Sequence, residues 1–136
     1  MNTDAGTRVS FLDLDEIESR QNVVQTVCQA TKHPDNPVLP LGAVDEWDSA
    51  QASPWASRTV IYDEDDGIYK CWYSGTDLSP EHRFMSGYAV SHDGVVWEKP
   101  RLGLIPYQGR TDNNICHTGW GPVLKDTLEP DPERRY

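Results

Sequence analysis

The side chains best placed to do chemistry in this chain are carboxylates. Asp48 and Asp112 stand at nearly matching places ahead of two similar runs, Val60-Ile61-Tyr62-Asp63 and Val123-Leu124-Lys125-Asp126, which are offset by 63 residues. An aspartate can serve as base, nucleophile or electrostatic stabiliser, and it can equally close a turn by accepting backbone N–H groups. Trp47-Asp48-Ser49 and Thr111-Asp112-Asn113-Asn114 suit either role. Trp47, Trp55 and Trp120 lie near these aspartates or their loops, and an indole there either stacks on the C–H face of a sugar or fills a core. Asn113, Asn114 and His117 can hydrogen-bond a ligand hydroxyl. A metal role for His117 lacks a second ligand at suitable spacing, so no metal site is expected. The acidic turn Asp63-Glu64-Asp65-Asp66 lacks the alternating oxygen ligands of a calcium loop and reads as a solvated hairpin tip.

The elements that must position these residues read as strands. Four β-type runs fill residues 59–98: Thr59–Asp63, Tyr69–Gly75, Ser86–Ser91 and Val95–Glu98. They are rich in Val, Ile, Tyr and Trp, and are split by Asp65-Asp66-Gly67, a polar loop and His92-Asp93-Gly94. Asp-Gly between such runs is a strong hairpin signal. The pattern outlines one four-stranded β-propeller blade, in which Trp72 and Trp97 are core residues. The offset echo at 123–126 places the start of a second blade after residue 100, and puts the inner strands just before each block. Residues 1–42 read as a leader with short apolar runs at Val9–Leu14 and Asn22–Val27, followed by a connection containing Pro34, Pro37 and Pro40. The expected organisation is therefore 1–42 leader, 43–100 first blade and 101–136 a second blade that stops early. Such a chain is all-β, about one and a half to two blades of antiparallel sheet, and is expected to be the N-terminal part of a longer protein.

Composition narrows the partners. With 12 basic and 22 acidic residues the net charge is −10, which leaves no basic footprint for nucleic acid or an anionic membrane. The three cysteines, Cys28, Cys71 and Cys116, are an odd and widely spaced set and read as free thiols. There is no apolar leader and no run long enough to span a bilayer, so the expected location is the cytoplasm.

Several phrases then fall together: Phe11-Leu12-Asp13, Lys32-His33-Pro34, Asn36-Pro37-Val38-Leu39, Trp47-Asp48, Tyr69-Lys70-Cys71-Trp72-Tyr73-Ser74-Gly75, Gly87-Tyr88-Ala89-Val90-Ser91-His92-Asp93-Gly94 with Trp97, and Asn113-Asn114-Ile115. Together they resemble the five-bladed β-propeller glycosidases of arabinanase, levansucrase and invertase type, which include glycoside hydrolase families 32, 43 and 68 and the mannoside phosphorylases of family 130. The resemblance implies a partial five-bladed propeller acting on an oligosaccharide through carboxylates in an axial funnel, without an organic cofactor. By this analogy Asp48 takes the base or nucleophile role of the first blade and Asp112 the transition-state-stabilising role of the second. The general acid of the third blade would lie beyond residue 136, so the chain alone is expected to be inactive. Trp47, Trp55, Asn113, Asn114, His117 and Trp120 are the corresponding substrate-binding candidates. Neither aspartate sits in an invertase-like Asn-Asp-Pro-Asn-Gly or Arg-Asp-Pro phrase. Ser91-His92-Asp93-Gly94-Val95-Val96-Trp97 also approaches the Asp-box turn of sialidase-type propellers, one residue short. A sialidase-like or non-catalytic sugar-binding propeller is one rival reading, and a protein-interaction scaffold is another.

Overall fold

The computed structural model describes residues 19, 21–22, 26, 29–53, 59–79, 84–119 and 121–136. The chain divides into two compact units, Met1–Thr31 and Lys32–Tyr136. Only scattered residues of the first are described, so the leader run at 9–14, all of the run at 22–27 except Asn22 and Thr26, and Trp55 and Trp120 lie outside the described residues.

The second unit is built on antiparallel β-sheet, with one short 3-10 turn at Pro132–Arg134 as its only described helix. Among the described residues five strands form a single sheet: β1 Gln51–Ser53, β2 Thr59–Asp63, β3 Ile68–Thr76, β4 Met85–Ser91 and β5 Ile115–His117. β4 occupies one edge of β3 from Tyr69 to Gly75, so β1 and β2 must share the other. β2 pairs with the first half of β3 (Thr59 opposite Trp72) and β1 with its end (Gln51 opposite Thr76). The five strands therefore make four lanes.

The β2–β3 hairpin forms where Asp-Asp-Gly predicts it. Gly67 takes φ 68°, a conformation that costs a side-chain-bearing residue energy, and its N–H closes the loop on the Asp63 carbonyl at 2.7 Å.

The fourth run does not become a strand. Residues 92–96 form a bend, and only Glu98 bridges back to Val90. Asp93 Oδ1 accepts the amides of Val95 and Val96, both at 2.8 Å, while Ser91 Oγ accepts the Gly94 amide at 2.9 Å. Those N–H groups are consumed locally and cannot join a ladder. Trp97 seals the turn by donating Nε1–H to the Gly94 carbonyl at 3.0 Å. The lane beside β4 is completed by Ile115–His117, from the segment expected to precede the second block as its inner strand. Asp93→Ala should therefore speed amide hydrogen exchange at Val95 and Val96 while β3 and β4 amides keep their protection. Unchanged exchange at those two amides would show that the turn stands without its carboxylate.

Period-2 alternation gives the sheet two covered faces. On one, Cys71, Tyr73, Met85, Ala89 and Ile115 are buried together with Trp47. Trp47 lies over Gly75 and Gly87, where a Cβ on Gly87 would come within 2.7 Å of the indole Cη2 and 2.9 Å of Tyr73 Cζ. On the other face Trp72 meets Tyr88 at 5.1 Å and Tyr136 at 5.3 Å between ring centroids. Residues 121–131 and 135–136 contain no described helix or strand, yet they are fastened to β2: Val123 N–H donates to Thr59 Oγ1 at 3.0 Å, and Lys125 and the Tyr136 hydroxyl both reach Asp63. The two segments matched at the 63-residue offset are thus neighbours in space.

Candidate functional site

The connection from β4 to β5 leaves the sheet after Glu98 and returns at Asn114. On the way it folds a tight hairpin in which Tyr107 and Arg110 exchange backbone hydrogen bonds across Gln108 and Gly109. Both central residues have positive φ, 48° and 77°, the type I′ geometry that suits a two-residue hairpin. This excursion faces the turn at 45–48, and a polar cleft opens between them. Its lining includes Trp47, Asp48, Lys99, Arg101, Asp112 and Asn114, together with the 107–110 hairpin.

Asp48 forms the floor. It is 1% exposed, and Oδ2 accepts the Tyr73 hydroxyl at 2.9 Å and Lys99 Nζ at 2.6 Å. Lys99 is steadied by the Pro40 carbonyl at 2.8 Å and lies 5.6 Å from the Tyr73 ring centroid. Burial first, and the Asp48 charge second, push the Tyr73 phenol far above its ordinary range, so it remains a donor. Asn114 Nδ2 donates to that phenol oxygen at 2.7 Å and to the Tyr88 carbonyl at 2.8 Å, and its Oδ1 accepts Trp47 Nε1–H at 2.8 Å. The indole is donor only, which fixes the orientation of the amide. The result is a directed chain from Trp47 through Asn114 and Tyr73 to a buried carboxylate, closed by an ammonium ion.

Asp112 stands at the mouth of the cleft in the opposite condition. Its side chain is 42% exposed and takes the Arg110 fork on both oxygens, each at 3.0 Å. That guanidinium holds the carboxyl below its usual range. Arg110 also reaches Asp45 at 3.4 Å. Tyr107 is anchored through its hydroxyl, which donates to Asp77 Oδ2 at 2.6 Å and accepts from Gln108 at 3.0 Å. Burial and then the Asp77 hydrogen bond push this phenol up to about 12.

Of the residues singled out in the sequence, the cleft gathers Trp47, Asp48, Asp112, Asn113 and Asn114. Trp47 is 2% exposed with its N–H committed, so its contacts are those of a core residue. Asn113 ties its own loop, donating to the Ile105 carbonyl at 2.9 Å and accepting the Ile115 amide at 2.9 Å. His117 is not part of the cleft. It is exposed on β5, where Nδ1 accepts the Gly119 amide at 2.8 Å. Lys99, Arg101 and Tyr107 were not singled out, although Gln108-Gly109 carries a short-turn signal that marks the hairpin bearing Tyr107. Among the described residues no cluster of three or more His, Cys, Asp or Glu could hold a metal. No helix among them is long and apolar enough to cross a membrane. Burial pushes the Cys71 thiol up to about 11 and raises Cys116 as well, which makes both poor nucleophiles.

No family model, curated protein or solved structure matches the chain.

Proposed function

We propose that the chain is part of a carbohydrate-active β-propeller of the arabinanase, levansucrase and invertase type, and that the cleft at Asp48 is a wall of its sugar-binding funnel. One observation carries the reading: Asp48 and Asp112 line the same cleft, and each is held by a cation. Glycosidic cleavage through an oxocarbenium-like transition state needs an ionised carboxylate on one side of the ring and a carboxylic acid on the other. Arg110 holds the Asp112 carboxyl below its usual range, which suits an ionised role, and Asp48 is ion-paired with Lys99. Asp48 is assigned the place of the base or nucleophile and Asp112 that of the stabiliser, with the acid coming from another group. The four-lane antiparallel sheet has the strand number of one blade, which supports the propeller part of the proposal.

The grip of Arg110 on Asp112 also favours a second reading, a cleft that binds sugar without cleaving it. Both readings require saturable binding. Titrating neutral and acidic oligosaccharides into the isotopically labelled chain should shift the amides of Gln108, Arg110 and Asn113, and Asp48→Asn should weaken that response. A saturating panel that moves none of these amides would sink both readings. Aryl glycosides should not be turned over by the chain alone, because this reading assigns the acid to neither aspartate.

A further inference from the structure

The cations of the cleft are not equivalent. Lys99 is neutralised by Asp48 and held by the Pro40 carbonyl, and Arg110 is shared between Asp112 and Asp45. Arg101 lines the same cleft, is exposed, and among the described residues makes no hydrogen bond or ion pair. Through space it has a small favourable influence on the Asp112 charge. A guanidinium presents five N–H donors in a planar fork matched to a carboxylate. Tyr107 lines the same cleft, half-buried against the core of the sheet, with its hydroxyl held by Asp77 and Gln108, so what it turns to the cleft is ring surface rather than a free O–H. A ring to lie against sugar C–H groups and a free fork to take a carboxylate are together the complement of an acidic sugar.

We infer that the cleft selects uronate-type sugars, with the Arg101 guanidinium binding the sugar carboxylate and the Tyr107 ring packing against the pyranose. The inference rests on the sugar-binding reading and adds the class of sugar. The chain's overall negative charge does not prevent it. Exposed charges more than about 8 Å apart are largely screened at physiological ionic strength, so the fork in contact with the ligand decides the preference. The four cleft carboxylates already have partners: Asp48 has Lys99 and Tyr73, Asp112 and Asp45 share Arg110, and Glu46 accepts the Ala43 amide at 2.7 Å.

The test compares oligogalacturonates with the same oligosaccharides after carboxyl reduction, so that the ligands differ only in charge and hydrogen-bonding fork. Calorimetric titration of the whole chain should show the acidic forms binding about tenfold more tightly, the scale of one charge-assisted pair. Arg101→Gln should bring that ratio to about one, and Arg101→Lys, which keeps the charge and loses the fork, should fall between them. An unchanged thermal midpoint for both variants would exclude a loss of fold. Equal affinity of the wild type for acidic and reduced forms overturns the uronate assignment and leaves sugar binding standing. Binding of neither form, together with a silent neutral panel, overturns both.

Discussion

Trp47→Ala should lower the unfolding free energy by about 4 kcal/mol, the scale for deleting a large buried aromatic side chain. The indole is 2% exposed, stacks on Tyr73 at 5.5 Å between ring centroids, and covers two glycines that have no side chain with which to refill the space. Neighbouring groups cannot easily collapse into the gap, because Tyr73 and Asn114 are tied into the hydrogen-bonded chain that ends at Asp48. Trp47→Phe separates the two contributions. It keeps an aromatic ring over Gly75 and Gly87 but removes the N–H, leaving Asn114 Oδ1 without its donor in a buried position. That loss should cost about 1–3 kcal/mol. A domain of this size has a total stability of only about 5–15 kcal/mol, so urea denaturation should show the alanine variant unfolding at much lower denaturant, with the phenylalanine variant between it and the wild type. A change below 1 kcal/mol for the alanine variant would mean that Trp47 is free of the core and available to a ligand.

The parts of the fold that local chemistry controls were the legible ones. β2, β3 and β4 announce themselves by β-branched and aromatic alternation, and Asp65-Asp66-Gly67 marks the turn between the first two. The Val95-Val96-Trp97 run has equally good strand composition. It fails as a strand because the Ser91 and Asp93 side chains capture the amides at the turn, a competition that hydrophobic pattern does not weigh. Asp48 and Asn114 stand out in the sequence by their places, but the groups they contact do not. Lys99 contacts Asp48 across 51 residues of chain and Tyr107 contacts Asp77 across 30. Those partners arrive because the excursion between Glu98 and Asn114 leaves the sheet and returns to it, a tertiary event with little local signature.

The same limitation hid Asp63, and Asp63→Asn should destabilise the chain by about 3 kcal/mol, the low end for removing one member of a buried ion pair. In sequence it is the first residue of an acidic tip. In the fold it is 2% exposed and receives Lys70 Nζ at 2.5 Å, Lys125 Nζ and the Tyr136 hydroxyl, the last two from positions 62 and 73 residues away. One carboxylate thus joins β2, β3 and the 121–136 segment. Asparagine keeps the shape and removes the charge, so two ammonium groups are left facing each other with only the more exposed Asp65 and Asp66 as counter-ions. The pH dependence follows from the same contacts. Lys125, Lys70 and Tyr136 hold the Asp63 carboxyl far below its ordinary value of 3.8. Its contribution is therefore fully present above that value and is lost as pH falls through it toward the folded-state value. The Lys70 ammonium is held above its ordinary 10.5 by Asp63 and Asp66, against the opposing effect of burial. Its contribution is complete below that value and fades as pH rises beyond it. Wild-type stability should accordingly be level across the neutral range and drop on either side, and the Asn variant should start lower with a shallower acid limb. Equal acid slopes for the two proteins would remove Asp63 as the fastening point. Because the network is on the face opposite the cleft core, Asp63→Asn assayed in conditions where it remains folded should still give the cleft amide shifts of the wild type, which separates what holds this chain together from what its cleft recognises.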